Sequence, residues 1–200
     1  MEQKEVLRAG DWVTLGRYAF DKNGGEEKIQ WRVLAVEGEK ALVVSEFVLD
    51  YDKFHTWSAV IWRDSLIRQW AQEFYETAFA EAEKMRILLS AIRTSDVPAW
   101  SDDLANHPGV ETQDYVFLLS MQEAEKYFTS DKDRVARATP YVQNKVGDTI
   151  DPYRVSGWWL RNRGFNVSYA SDVLPHGEID DYGEEVYEEG GIRPAMWIKV

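Results

Sequence analysis

WWLRNRG at 158–164 and GGIRPAMWIKV at 190–200 read as one unit. Both are dense in large apolar groups, and each holds an arginine inside an apolar run. Met196, Ile198 and Val200 alternate along the final run, the pattern of a strand docked in a sheet rather than a loose terminus. The expectation is that the final strand and the double-tryptophan strand are ribs of the same sheet. The chain between them, 164–189, is then thrown outward as loops.

The rest of the chain supplies more strands and at least one helix. DWVTLGRYAF at 11–20 alternates apolar and polar and reads as a first strand, with Gly16 as a bulge. Asn23-Gly24 supplies the positive φ of a hairpin turn. Ile29, Trp31, Val33 and Ala35 mark a second strand, and ALVVSEFVL at 41–49 a third, so 11–49 forms a three-stranded meander. WRDSLIRQWAQEFYETAF at 62–79 places Leu66, Trp70, Phe74 and Ala78 four apart, the stripe of an amphipathic helix capped by Ser58 or Asp64. AEAEKMRILLSAI at 80–92 fits either a second helix or a run into a strand. The polar stretch 94–114 reads as a long loop and YVFLLS at 115–120 as a buried strand. Ser120 and Glu123 match the capping box of a short helix over 121–129. Residues 130–157 read as loop.

Length and composition narrow the classes. The chain has 200 residues and no Cys, which excludes disulfides, thiolate chemistry and Cys-ligated zinc. A chain of this size buries about 70% of its unfolded surface without a staple. Net charge is −12, from 23 basic and 35 acidic residues, with no basic stripe, so nucleic acid and anionic membranes are not expected partners. Apolar runs fall far short of the roughly 20 residues a membrane helix needs. MEQKEVLRAGDW has no hydrophobic stretch of signal-peptide type. The chain as it stands is expected in the cytoplasm, and outside the cell if a leader has been trimmed away. The 9 Trp, 10 Tyr and 8 Phe are many for this length. Aromatic rings bury large areas, and Trp and Tyr keep a polar end for a surface.

Four phrases in order carry a resemblance: IQWRVL with ALVVSEFVLD, WRDSLIRQWAQEFYETAF, DYVFLLSMQEAEKYF, and WWLRNRG with GGIRPAMWIKV. They resemble a bacterial domain family of unknown function whose members read W-x-S-x-I-R-x-W-L-N-x-x-F, D-x-V-F-L-L-S-x-x-E, W-W-L-R-S-P-G and G-V-R-P-A-L. Asn162 and Arg163 depart from the third pattern. More distantly, an L-R-x-x-G segment followed by a terminal G-x-R-P-A stretch is similar to the C-type-lectin-like fold of formylglycine-generating enzymes and retroelement-diversified binding proteins. That likeness implies a ligand face built from 164–189. The cysteine-dependent activity of formylglycine-generating enzymes is excluded here, and the Glu-Pro-Asn or Gln-Pro-Asp of calcium-dependent sugar lectins is absent.

No catalytic signature stands out. Arg161 and Arg193, inside apolar strands, read as structural ion pairs, because a buried guanidinium calls for a carboxylate. Arg163, beside Gly164, reads as exposed and as the better ligand contact. Trp158 and Trp159 point to opposite faces of a strand. The acidic stretch 172–189 reads as a solvated loop without the spacing of a calcium loop. His55, His107 and His176 are scattered, so no metal site and no cofactor are expected, and no serine sits in a Gly-x-Ser-x-Gly context. Asp50 and Asp52 are a carboxylate pair of the kind that cleaves glycosides, which keeps a carbohydrate-active hydrolase as an alternative. An accessory interaction module is a second alternative.

The expected fold is α+β, a single domain over 1–200 with a twisted, mostly antiparallel sheet, one or two helices and long loops, of C-type-lectin-like form. Within it lie the meander at 11–49, a helical region at 62–92 and a sheet-and-loop region at 115–200. The expected function is non-catalytic binding of a protein, peptide or glycan. Its contacts would be Arg163, Asn166, Tyr169, Tyr182 and Tyr187.

Overall fold

The structure is a computed structural model that describes residues 7–57, 60–95, 97–98, 101, 106–107, 109–147 and 155–200. Ser58, one of the two expected helix caps, lies outside them. The meander is present as β1 (Trp12–Ala19), β2 (Glu26–Glu37) and β3 (Lys40–Ser45), all antiparallel. The β1–β2 register shifts between Thr14 and Arg17, at Gly16. Trp31 is wholly buried, and its indole N–H donates to the Leu15 carbonyl at 2.8 Å, which satisfies the one polar atom of the ring.

The apolar run 41–49, expected as one strand, is divided between sheets. β3 ends at Ser45, whose hydroxyl donates to the Phe47 carbonyl at 2.7 Å as the chain bends away. β4 (Phe47–Val48) and β5 (Asp50–Lys53) follow in other sheets. A uniformly buried run does not show where its neighbours change.

A 3-10 turn at Trp62–Asp64 leads into α1 (Leu66–Ala78). The cap is Ser65 rather than Ser58 or Asp64, and its Oγ accepts the Arg68 N–H at 3.2 Å. The helix buries Ile67, Ala71, Phe74 and Ala78, while Leu66 is exposed. Two apolar stripes overlap on this helix, and the one beginning at Ile67 faces the sheet. α2 (Glu81–Lys84) is a single turn, and β6 (Ser90–Thr94) pairs antiparallel with β7 (Val110–Asp114). The expected loop over 94–114 therefore ends in a strand. The buried side of β7 is Thr112 and Asp114, so no apolar alternation announced it.

Residues 115–120 are buried and extended but do not form a strand of one sheet. Phe117 exchanges backbone bonds with Ala195 at 2.9 and 2.7 Å, and Leu119 accepts from Arg161 N at 3.0 Å, so the segment bridges two sheets. α3 (Met121–Tyr127) starts with the capping box read from the sequence: Ser120 Oγ accepts from Glu123 N, and the Glu123 carboxylate accepts from Ser120 N. The stretch 130–157, expected as loop, holds α4 (Asp131–Arg134), β8 (Ala136–Ala138), α5 (Pro140–Val146) and β9 (Val155–Ser156). Each is too short to display a period. α5 alone carries a local signal, a Thr139 cap followed by Pro140 at its first position.

The C-terminal third holds β10 (Trp158–Arg163), β11 (Tyr169–Val173), β12 (Ile179–Glu185), β13 (Glu189–Ile192) and β14 (Ala195–Lys199). Among the described residues the sheets run β1-β2-β3-β14, β12-β11-β10-β13-β5, β4-β8-β9 and β6-β7. The fold is mixed α+β, with more helical segments than the one or two expected. The expectation that the final strand shares a sheet with the double tryptophan is overturned. β13 lies beside β10 in parallel, but β14 pairs with β3 in the other sheet. The change occurs at Arg193-Pro194, because the ring of Pro194 leaves no N–H for a continuing ladder. Residues 164–189 also differ from expectation, since β11 and β12 form an antiparallel hairpin where loops were expected. Both large sheets and α1 still share one continuous hydrophobic core.

Arg193 is fully buried and pairs with no described carboxylate, contrary to its reading as an ion pair. Its Nε donates to the Ser45 carbonyl at 2.9 Å and its Nη1 to the Arg134 carbonyl at 3.0 Å. The guanidinium lies 5.0 Å from the Trp158 ring and 5.5 Å from the Phe128 ring. Burial lowers its pKa to about 9, which leaves it charged at neutral pH. Arg193→Lys keeps the charge but not the planar fork. The variant is expected to lose roughly 1.5–3 kcal/mol, the worth of one charge-assisted hydrogen bond, read as a lower urea midpoint at constant slope. An unchanged midpoint would show that the fork is not what holds this corner.

Candidate ligand-binding site

The β11–β12 hairpin positions the residues of interest. Its register breaks between Ala170 and Asp172 on one strand, opposite Gly183 on the other. Gly183 has φ 72°, and a Cβ there would fall 2.0 Å from the Ala170 carbonyl oxygen, so the bulge requires glycine.

At one end of the hairpin, aromatic rings gather at the surface. Phe165 and Tyr182 stack with centroids 4.5 Å apart and planes 8° from parallel, and they are 42% and 55% exposed. Phe165 also meets Tyr169 edge-on at 6.4 Å. The Tyr169 hydroxyl donates to Glu185 at 3.2 Å. Tyr187 also hydrogen-bonds Glu185, and that bond, with a smaller effect of burial and nearby charge, pushes its pKa up to about 12. Three of the five expected contacts, Tyr169, Tyr182 and Tyr187, therefore come together around Glu185 and Phe165. The other two adjoin the rings in the chain: the Asn166 carbonyl accepts from Tyr169 N at 3.1 Å, and Arg163 stands opposite Ala170. Asn166 spends its side-chain oxygen on the Ser168 N–H at 2.8 Å, which shapes the turn. Arg163 is half-buried at the end of β10. His55 N donates to Val186 O and Val60 N to Val167 O, and Trp57, between them in the chain, is exposed.

The same strands border a cleft of about 220 Å³, with Tyr51, Trp159, Asp172, Pro175, Glu184 and Glu189 on its walls. Trp159 stands opposite Asp172 in the β10–β11 register. Its ring lies against Gly190, where a Cβ would sit 2.6 Å from the indole. Its Nε1 donates to the Asp52 carbonyl at 3.0 Å. Asp172 Oδ1 is buried and accepts no hydrogen bond from a described residue. Burial, and then the charges of Asp180 and Glu184, push the Asp172 carboxyl up to about 7. Burial also raises the Tyr51 hydroxyl, with further effects from Glu189, Asp172 and Glu184. Of the cleft, the tryptophans and the acidic stretch were visible in the sequence. Tyr51 was not, because it reaches the cleft only through the pairing of β5 with β13.

A larger groove of about 620 Å³ runs between α1 and β7, beside the stacked Tyr75 and Tyr115. Two of its three acids already have partners, and the third, Glu73, is exposed. Asp114 accepts from Trp62, Arg68 and Thr112, and Glu76 pairs with Lys84. The Asp50–Asp52 pair is likewise committed elsewhere. Asp50 is buried and accepts from Tyr18 Oη at 2.6 Å, Trp70 Nε1 at 3.0 Å and Lys145 Nζ at 2.9 Å, while Asp52 is exposed. Arg161 pairs with Glu123 and also donates to the Leu118 carbonyl at 2.7 Å. Among the described residues no three His, Asp or Glu side chains are arranged to hold a metal ion, and no helix is long and apolar enough to cross a membrane.

Asp172 gives a pH signature. Its pKa in the folded chain lies above the ordinary 3.8, so the folded state holds the proton more tightly than the unfolded state. Stability contributed by the protonated carboxyl is therefore lost as pH rises from about 4 through about 7. Asp172→Asn removes the titration. Its melting temperature should exceed that of the parent at about pH 8 and match it near pH 4. A difference that is the same at both pH values would contradict this account of Asp172.

No curated protein and no solved structure matches the chain, so the lectin-like relation remains an expectation of the motifs. One family model does match, over residues 38–200, from the β2–β3 turn to the end of β14. β1 and β2 precede the matched stretch, although they complete the sheet that β3 and β14 share with them. With that match covering most of its length, the chain belongs to the family described as a domain of unknown function, DUF6273.

Proposed function

We propose that this chain is a non-catalytic ligand-binding domain whose contact face is the aromatic end of the β11–β12 hairpin, and that its ligand is a protein, a peptide or a glycan. The observation that carries the reading is the exposed, stacked Phe165–Tyr182 pair, held beside two tyrosines that share the Glu185 carboxylate. Rings fixed in place offer large contact area at small entropic cost, to sugar faces and peptide side chains alike. Glu185 and its acidic neighbours on β12 add hydrogen-bond acceptors around the rings.

A second reading, glycoside hydrolysis, is favoured by one observation. Burial and neighbouring charge push the Asp172 carboxyl up to about 7, and it shares a cleft with a second carboxyl group, Glu184, the arrangement of a proton donor beside a carboxyl partner.

Glycan and peptide arrays probed with the parent chain and with Phe165→Ala/Tyr182→Ala test the first reading. The double variant should lose about tenfold or more of the binding, as expected for central aromatic contacts. Binding that is indifferent to both rings, or none on either array, would overturn it. Release of reducing sugar from a bound glycan, abolished by Asp172→Asn, would instead support hydrolysis.

A further inference from the structure

The cleft bordered by β10, β11, β12, β13 and β5 differs in chemistry from the aromatic end of the hairpin, and its argument stands without the proposed contact face. Its walls combine rings with acids: Tyr51 and Trp159 on one hand, Asp172, Glu184 and Glu189 on the other. Among the described residues no Lys, Arg or His lines it. Lys53 stands opposite Glu189 in the β13–β5 register but is exposed and outside the cleft wall. Three carboxylates without a cation among them repel one another, and a positive group placed between them relieves that repulsion. Asp172 Oδ1 is buried and accepts no hydrogen bond from a described residue, so this carboxylate at the cleft wall is not already spent on the protein.

Two magnitudes narrow the occupant. The cleft, at about 220 Å³, is smaller than the roughly 300–1,000 Å³ of sites that enclose drug-sized ligands, so it suits one side chain or one small amine. A metal ion is disfavoured, because the acidic groups are not arranged to coordinate one. Aromatic faces attract organic cations, adding about 0.5–2 kcal/mol as water is excluded. We infer that this cleft binds a cationic organic group, an ammonium or a guanidinium, carried by a lysine or arginine side chain of a peptide or by a free amine. The donor bonds Asp172 and Glu184 while its alkyl stem lies along Trp159 and Pro175. Binding needs the Asp172 proton to leave. Among the described residues the charged and titratable groups facing Asp172 are Asp180 and Glu184 from β12, Glu189 from β13 and Tyr51 from β5. All of them are acids, so a bound cation draws the Asp172 pKa downward.

The test is calorimetric titration of the whole chain with N-acetyl-arginine amide, N-acetyl-lysine amide and putrescine, with N-acetyl-norleucine amide as an uncharged control of similar shape. At least one cationic probe should bind saturably at about pH 8 and more weakly at about pH 5.5, where Asp172 holds its proton. In Glu184→Gln/Glu189→Gln the same probe should bind about tenfold more weakly. Both residues are exposed, so this variant should melt no lower than the parent. Asp172→Asn should remove the pH dependence. Preference for the amino-acid amides identifies a peptide side chain as the occupant, and preference for putrescine a free amine. Failure of every cationic probe at pH 8, equal binding of norleucine amide, or indifference to the double variant each overturns the inference. None of these results depends on Phe165 or Tyr182.

Discussion

The structure turns on the buried guanidinium of Arg193. The chain crosses between its two large sheets at Ser45, on the way from β3 to β5, and at Arg193-Pro194, from β13 to β14. Ser45 N donates to the Pro194 carbonyl at 2.9 Å, so the crossings lie side by side. Arg193 ties them together by donating to the Ser45 carbonyl. Its second bond, to the Arg134 carbonyl, attaches the end of α4, and Trp158 donates its indole N–H to that same oxygen at 3.1 Å. A charge buried without a carboxylate is costly. Here two carbonyl dipoles and two ring faces offset the cost in place of a counter-ion.

That corner bears directly on the candidate site. β13 lies between β10 and β5, and it brings Tyr51 and Glu189 to the cleft edge opposite Asp172 and Glu184. Were the chain to run straight on from β13 to β14, β3 would lose its outer partner and the core beneath it would open. The hairpin carries both surface features of interest on a single rigid ladder. The Gly183 bulge falls between Tyr182 of the aromatic cluster and Glu184 of the cleft, where the β11–β12 register shifts. Glu184 and Glu189 are exposed, whereas Asp172 is more deeply set, which makes it the group most sensitive to what occupies the space beside it.

Much of the local structure was legible from residue order. The β1–β3 meander, the helix beginning near Leu66 and the Ser120–Glu123 capping box follow from alternation, a four-residue stripe and side-chain capping. Tyr169, Tyr182 and Tyr187 were singled out from the sequence, and the fold brings them near one another. Their partner Phe165 was missed because an apolar residue in an alternating run reads as core. β7 was missed because it buries Thr112 and Asp114, and the elements between 131 and 156 because each is shorter than the period that would reveal it. Arg193 was read as half of an ion pair because sequence shows the need for a partner but not that backbone carbonyls and rings can supply it.

The amino-acid order by itself determined the α+β class, the β1–β3 meander and the capping box of α3, the family to which the chain belongs, and an acidic, aromatic-rich, cysteine-free composition. Tertiary structure decided which strands are neighbours. Side-chain alternation has a period of two and specifies which face of a strand is buried, not which strand lies beside it. The apolar run from Ala41 to Leu49 and the final run from Gly190 to Val200 each look continuous, yet each is shared between two sheets. The cleft exists only because of that sharing: it draws Tyr51, Trp159, Asp172 and Glu189 from parts of the chain separated by more than 100 residues.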